Sequence, residues 1–352
     1  MPVFPSGNSR LLRHCGGVAL AAGLAAAVAA CGSSPSASKA SSSSSPNATG
    51  SAAKASGTAS VAYAGSLEKL DEKVIGPAFT KADGYPYSGR GAGSKALSQE
   101  IKSGEITPNV FESVGSKPIT ALQPKFSSWY VQFASSPLVV AYNPAGTYAS
   151  QLKAIASGKK PVRDLFTLMQ EPGFKLGRTD PNVDPQGAAF IEMIELAAKQ
   201  YGMPPSAVTK ILGGPAASST SPEVFSETAL EPRLQAGQLD ASSAYLSQAV
   251  QLHLPYIALP STINMGSPAH AADYAKASVK LANGTVEAGK PLVVDITTIG
   301  SAGKQAADAF VAYVLSKKGL AEHKQGGYTL LTPTAFGNKA AIPTTIRNEL
   351  GG

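Results

Sequence analysis

Short apolar runs alternate with amphipathic stretches along most of the chain, and that alternation predicts an α/β architecture. Val61-Ala62-Tyr63-Ala64 reads as a buried strand, and Leu67, Leu70, Val74, Ile75 and Ala78 follow at helical spacing, which makes Gly65-Ser66 the strand-to-helix turn. The order returns at Tyr85-Pro86-Tyr87-Ser88 and the helical Ala96, Leu97 and Ile101, with the glycine-rich stretch 89–94 as the turn between them. Extended runs at 129–134 and 137–142 lie side by side in sequence. Further strands are expected at 174–178, 256–259 and 292–299, helices at 186–201 and 306–315, and one more helix from Ser226 to near Gly237. The folded part runs from about Val61 to Phe336 with a polar tail behind it, a size that more often makes two lobes than one. Crossings near Tyr142 and Pro260 would give residues 61–141 and 261–352 to lobe 1 and 142–260 to lobe 2, with a ligand cleft between them.

Ahead of this region stand Arg10, Arg13 and His14, then an Ala/Leu/Val-rich run closing at Val28-Ala29-Ala30-Cys31, with Gly32-Ser33-Ser34 behind it. A basic segment, an apolar segment and small residues before a break are the parts of a secretion signal, here residues 1–30. The Cys at the break resembles the lipobox of bacterial lipoproteins, which implies lipidation of Cys31 and a chain held at the outer face of the cytoplasmic membrane by acyl chains rather than by a spanning helix. An ordinary signal with an incidental Cys31 is the alternative. Residues 31–60 are mostly Ser, Ala, Gly, Lys and Thr and bury almost nothing, the composition of a flexible tether.

Loss of the signal removes Cys15, and lipid would occupy Cys31, so no thiol is left for a disulfide or a Cys-ligated metal. His14, His253, His270 and His323 are scattered, and none is spaced as a zinc pair; no cofactor is expected. The formal charge of +7 falls to +5 without the signal, because 30 basic residues lose Arg10 and Arg13 while all 23 acidic residues stay. No Lys/Arg block stands out, so no nucleic-acid partner is expected. A modest positive balance suits collection of anions and equally suits plain solubility.

Two Gly-Ser pairs, Gly65-Ser66 and Gly93-Ser94, stand at helix N-termini after strands. Free N–H groups and the helix dipole favour an anion there, and the hydroxyl adds a donor; each Ser can equally be an ordinary N-cap. A turn-rich loop from Arg178 to Gly187 carries Asp184-Pro185-Gln186, in which Asp184 can be an N-cap with proline at the first helical position. Ser226-Glu227 opens a helix, Ser226 as a cap or Glu227 as a functional group. Tyr245 ends the run Asp240-Ala241-Ser242-Ser243-Ala244-Tyr245.

In order and wording these pieces resemble the molybdate/tungstate-binding lipoproteins of ABC importers, with a periplasmic-binding-protein type 2 fold. The resemblance rests on Tyr63-Ala64-Gly65-Ser66-Leu67, Gly91-Ala92-Gly93-Ser94, the run Ser128 to Ala134, Pro181 to Gly187, Leu239 to Tyr245, and Tyr256-Ile257-Ala258-Leu259-Pro260. It implies oxyanion ligands at Gly65, Ser66, Ser94, Asp184, Pro185, Gln186, Glu227 and Tyr245, with Asp184 and Glu227 bonded to the molybdenum or tungsten centre. It also implies an ABC permease and its ATPase subunit as partners, and a monomeric receptor rather than an enzyme. The chain departs from the pattern at 109–116, at Gln186 where many relatives have Cys, and in a shorter stretch between Asp184 and Glu227.

Chemistry narrows the ligand class. Fully deprotonated sulfate meets only repulsion from a carboxylate, whereas molybdenum or tungsten offers a coordination position that a hard carboxylate oxygen fills. Two carboxylates in an anion pocket therefore suit a metal-centred oxyanion. The alternatives are a receptor for sulfate, phosphate or an organic acid, and a tethered extracytoplasmic hydrolase. Against the hydrolase stands the lack of a Gly-x-Ser-x-Gly elbow, a His-Glu-x-x-His motif or a Ser/His/Asp frame.

Overall fold

The computed structural model describes residues 56–216, 218 and 223–351. The expected signal, Cys31 and nearly all of the tether lie outside them. Thirteen strands are assigned within the described residues: β1 Ala59–Ala64, β2 Tyr87–Ala92, β3 Val110–Val114, β4 Trp129–Ser135, β5 Leu138–Tyr142, β6 Leu176–Thr179, β7 Val224–Phe225, β8 Ala241–Tyr245, β9 Tyr256–Ala258, β10 Ser278–Lys280, β11 Val286–Ala288, β12 Val293–Thr298 and β13 Thr329–Gly337. One six-stranded sheet runs β13-β4-β12-β3-β1-β2 and one five-stranded sheet β7-β6-β8-β5-β9, while β10 and β11 pair only with each other. The result is the expected α/β architecture of two lobes, each built on its own mixed sheet. No helix among the described residues is long and apolar enough to cross a membrane.

Parallel pairing places the two Gly-Ser turns. β1 pairs with β2 in parallel, and the register Ala64↔Ala92 brings Gly65-Ser66 and Gly93-Ser94 to the same edge of the first lobe's sheet. In the second lobe β6 is parallel to both β8 and β7, so the loop after Thr179, the turn after Phe225 and Tyr245 at the end of β8 share one edge as well. Loops at the carboxyl ends of parallel strands are where open α/β sheets bind ligands, because each feeds a helix whose N–H groups point outward.

Several sequence expectations shift. Residues 89–92 belong to β2 rather than to a turn. Their glycines serve close packing: a Cβ on Gly89 or Gly91 would come within 2.6 Å of the Tyr63 ring. β1 opens at Ala59, inside the segment read as tether, and Ala59 is fully buried. The C-terminal tail is not merely polar, since the helix Thr344–Glu349 buries Ile346 and the turn before it buries Ile342. The strand expected at 174–178 lies at Leu176–Thr179.

The crossing expected near Tyr142 comes earlier. β4 lies in the first sheet and β5 in the second, so the chain changes sheets at Ser136-Pro137. Ser136 Oγ donates to Ser247 Oγ at 3.1 Å and accepts from Ser247 N at 3.0 Å. The return passes beside it, with Ser136 N bonded to Leu292 O and Leu138 N to Asn264 O.

Candidate functional site

Ser66 follows β1 at the start of a short helical turn, and its side chain caps nothing. The residue is 3 % exposed, and Oγ has no hydrogen-bond partner. Ser94 is the first residue of the helix Ser94–Ser103, behind Gly93 as N-cap. Its Oγ accepts from Val114 N at 3.1 Å, which leaves the hydroxyl proton free to donate elsewhere. The capping alternative therefore holds for neither serine.

Asp184 does cap: Oδ1 accepts from Gln186 N at 2.9 Å, and Pro185 stands at the first helical position of Pro185–Tyr201. Its other oxygen, Oδ2, is buried without a hydrogen-bond partner, as is Tyr245 OH. Glu227 opens the helix Glu227–Gln235 and reaches across to the first lobe, where Oε2 accepts from Gly65 N at 3.0 Å and Oε1 from Ser66 N at 2.8 Å. The turn after β1 thus already grips a carboxylate with two backbone donors, and a carboxylate is itself an oxyanion. The approach is close enough that a Cβ on Gly65 would lie 2.9 Å from Glu227 Oε2. Gly93 meets the second lobe as tightly, with 3.1 Å from its missing Cβ to Asp184 Cβ.

The electrostatics bind these groups into one cluster. Burial pushes Asp184 up to about 6 against the bond from Gln186, the nearby Thr179 hydroxyl and the charge of Lys95. Glu227 is raised well above the usual carboxylate range by burial, then by Asp184 and Glu231, while its bonds from Ser66 and Gly65 oppose the shift. Tyr245 is raised by burial and by the charges of Asp184 and Glu227. Two carboxylates so close in a dry site cannot both ionise cheaply, so the cluster favours a cationic centre or a proton between them.

Gln186 sits differently. Its amide holds Gln248 Oε1 at 3.0 Å and accepts from Ser243 at 2.7 Å, while Gln248 Oε1 accepts from Tyr245 N at 2.9 Å. It braces the strand that presents Tyr245, and its side chain is spent on that bracing. Pro185 has no N–H and borders a small crevice near Glu192 and Lys290.

Two cavities flank the Glu227 bridge. One of about 360 Å³ is walled by Gly65, Ser66, Lys69, Glu231 and Gln248, the other of about 320 Å³ by Gly93, Asp180, Val183, Asp184 and Glu227. Glu231 escaped the sequence reading, although it lies one helical turn beyond Glu227. It is 4 % exposed, its Oε1 has no hydrogen-bond partner, and burial pushes it up to about 8. Tyr328, whose OH donates to Ser66 O at 3.1 Å, carried no sequence signal. Lys95, next to Ser94, carried no sequence signal of its own; it donates to Pro181 O at 2.8 Å. Among the described residues no group of three or more His, Cys, Asp or Glu could hold a metal ion.

Two lobes that meet on a buried polar cluster between two cavities have the geometry to hold a small solute. The chain belongs to the bacterial extracellular solute-binding protein family, whose model matches residues 59–329. A Haloferax volcanii protein provisionally named as the molybdenum-binding protein of an ABC transporter is 31 % identical over 235 residues, 67 % of this chain and 70 % of that one. The molybdate/tungstate-binding protein WtpA of Pyrococcus abyssi is 29 % identical over 242 residues, 64 % of this chain and 68 % of the relative. Among solved structures, the periplasmic molybdate-binding protein of Azotobacter vinelandii covers 77 % of this chain and 99 % of its own, at a TM-score of 0.49 and 16 % identity.

Proposed function

We propose that the chain captures tungstate or molybdate between its lobes and delivers it to an ABC permease and its ATPase subunit. One observation carries the reading: two buried carboxylates, Asp184 and Glu227, lie beside the unpartnered Tyr245 OH, and Glu227 is bonded to the N–H of Ser66, whose Oγ is also unpartnered. Hydroxyls and turn N–H groups suit the oxygens of a tetrahedral anion. Ionised carboxylates there suit an anion whose central atom accepts further oxygen ligands. Gly65, Ser66, Ser94 and Tyr245 supply the donors, Asp184 and Glu227 the metal-directed oxygens, and Pro185 and Gln186 the helix start that presents Asp184. Relatives named for molybdenum, molybdate or tungstate binding support the same reading. Lipidation at Cys31 would hold the receptor beside its permease.

Thermal shift of the full-length chain against tungstate, molybdate, sulfate and phosphate tests the reading, since a ligand bound only by the native state stabilises as ln(1+[L]/Kd). A strong response to the first two is expected. A larger response to sulfate or phosphate overturns the ligand and leaves the family standing.

A further inference from the structure

The β10–β11 hairpin stands apart from both large sheets and is tied to the second lobe. Ser278 N donates to Glu195 Oε2 at 3.1 Å and Ala282 N to Asn182 Oδ1 at 2.9 Å. Glu287 on β11 reaches the first lobe, where Oε2 is 2.7 Å from Lys95 Nζ and Oε1 3.5 Å from Lys117 Nζ. The Lys95 and Glu287 side chains are only 14 % and 12 % exposed, so solvent screens their attraction poorly. Lys95 follows Ser94 in the first turn of its helix and also donates to Pro181 O. One residue on, Ala96 N donates to Val183 O at 3.1 Å. Every cross-lobe bond of that turn therefore lands on the loop that ends in Asp184 or on the hairpin.

We propose that Glu287 is a positioning residue of the cleft: through Lys95 it clamps the Ser94 turn onto the 181–184 loop and so sets how fast a bound anion leaves. The inference rests on the anion-cleft reading only for the identity of what is released. Opening the lobes must separate Lys95 from Glu287 together with the bonds to Pro181 and Val183, and only the first joins opposite full charges. Without the Glu287 charge, Lys95, Lys117 and Lys290 face one another with Glu192 as the remaining carboxyl. Glu192 is a poor substitute, being 3 % exposed. Entry precedes closure, so the clamp acts on release rather than on association.

The test uses the full-length chain, radiolabelled tungstate chased with unlabelled tungstate, and hydrogen exchange at the Ala96 amide without ligand. Glu287→Gln should release tungstate about ten- to a hundred-fold faster, as for loss of a charge-assisted hydrogen bond, with association changed by no more than about threefold. Lys95→Glu and Glu287→Lys should each do the same, the double swap should return release close to wild type, and Ala96 exchange should rise and recover in parallel. Wild-type release from Glu287→Gln, or a double swap as leaky as its parents, overturns the clamp. If the wild-type chain retains no tungstate, the ligand reading fails by itself, and Ala96 exchange alone decides for or against the clamp.

Discussion

Ser66 and Ser94 present the same hydroxyl after the same kind of strand, yet their surroundings separate what each is for. Ser66 Oγ is buried without a partner, so Ser66→Ala removes no internal bond and should leave the melting temperature near wild type. Tungstate affinity should fall about ten- to a hundred-fold if that hydroxyl donates to the anion. Ser94 Oγ also accepts from Val114 N, so Ser94→Ala should cost about 1 kcal/mol of stability besides any affinity. Calorimetric titration beside urea unfolding separates the two outcomes; equal stability losses with unchanged affinity would return both serines to a structural role. Asp184→Asn is sharper still. Asn is as good an N-cap as Asp, so the bond to Gln186 N survives, while the amide is a poorer ligand than the carboxylate for a hard metal centre. Tungstate and molybdate binding should weaken with little change in melting, and sulfate should bind as before or better. Unchanged tungstate affinity would leave Asp184 as a helix cap only.

At the scale of elements, the helical segment behind Ser66 and strand β3 bring together a second pair of carboxyls, outside the proposed anion site. Asp71 opens the wide turn Asp71–Ile75, and Glu112 lies on β3 opposite Tyr63 of β1; both are fully buried, none of their carboxyl oxygens has a hydrogen-bond partner, and the charge of Glu112 raises Asp71 further. Two buried carboxyls without partners cannot both ionise cheaply, so the pair keeps a proton, and burial pushes Glu112 up to about 7. The native chain therefore binds more protons than the unfolded one between the usual Glu range and about 7. This contribution is complete at acid pH and is lost as pH rises through that window. Glu112→Gln should flatten the decline of melting temperature between pH 5 and pH 8, relative to wild type (roughly the window of the shift). Identical slopes would mean that the pair does not titrate there.

Periodicity made most elements legible: the strands at 61–64, 256–259 and 292–299 and the long helix from Pro185 fall where apolar spacing put them. Glycine misled at 89–92, because a tight turn and a crowded edge strand both exclude a side chain and only the packing against Tyr63 distinguishes them. The change of sheet at Ser136-Pro137 was hidden for another reason. β5 is buried along its whole length, so its pattern says nothing of which sheet it joins.

The whole molecule divides its labour between a folded body and the segment ahead of it, and the boundary between them is set by bonds rather than by composition. Composition alone runs the Ser/Ala tether to residue 60, but Asn109 Nδ2 donates to Thr58 O, Ala59 N donates to Pro86 O, and Ser60 N donates to Asn109 Oδ1. These bonds fasten the first strand to the loops before β2 and β3, and Ala59 adds a fully buried side chain to the core. Distant contacts of this kind, like the pairing of Lys95 with Glu287 across 192 positions, leave no local trace in a sequence. A chain beginning at Gly57 should therefore melt with the full-length protein and bind tungstate as tightly. One beginning at Val61 should melt several degrees lower, having lost those three hydrogen bonds and a fourth from Asn109 N to Ser60 O, each worth on the order of 1 kcal/mol. Differential scanning calorimetry of the two decides where the body starts. Equal melting temperatures would return residues 58–60 to the tether. If Cys31 carries lipid, full-length Cys31→Ser should melt and bind as wild type but appear in the soluble fraction of cells. Retention at the membrane would count against lipidation at Cys31.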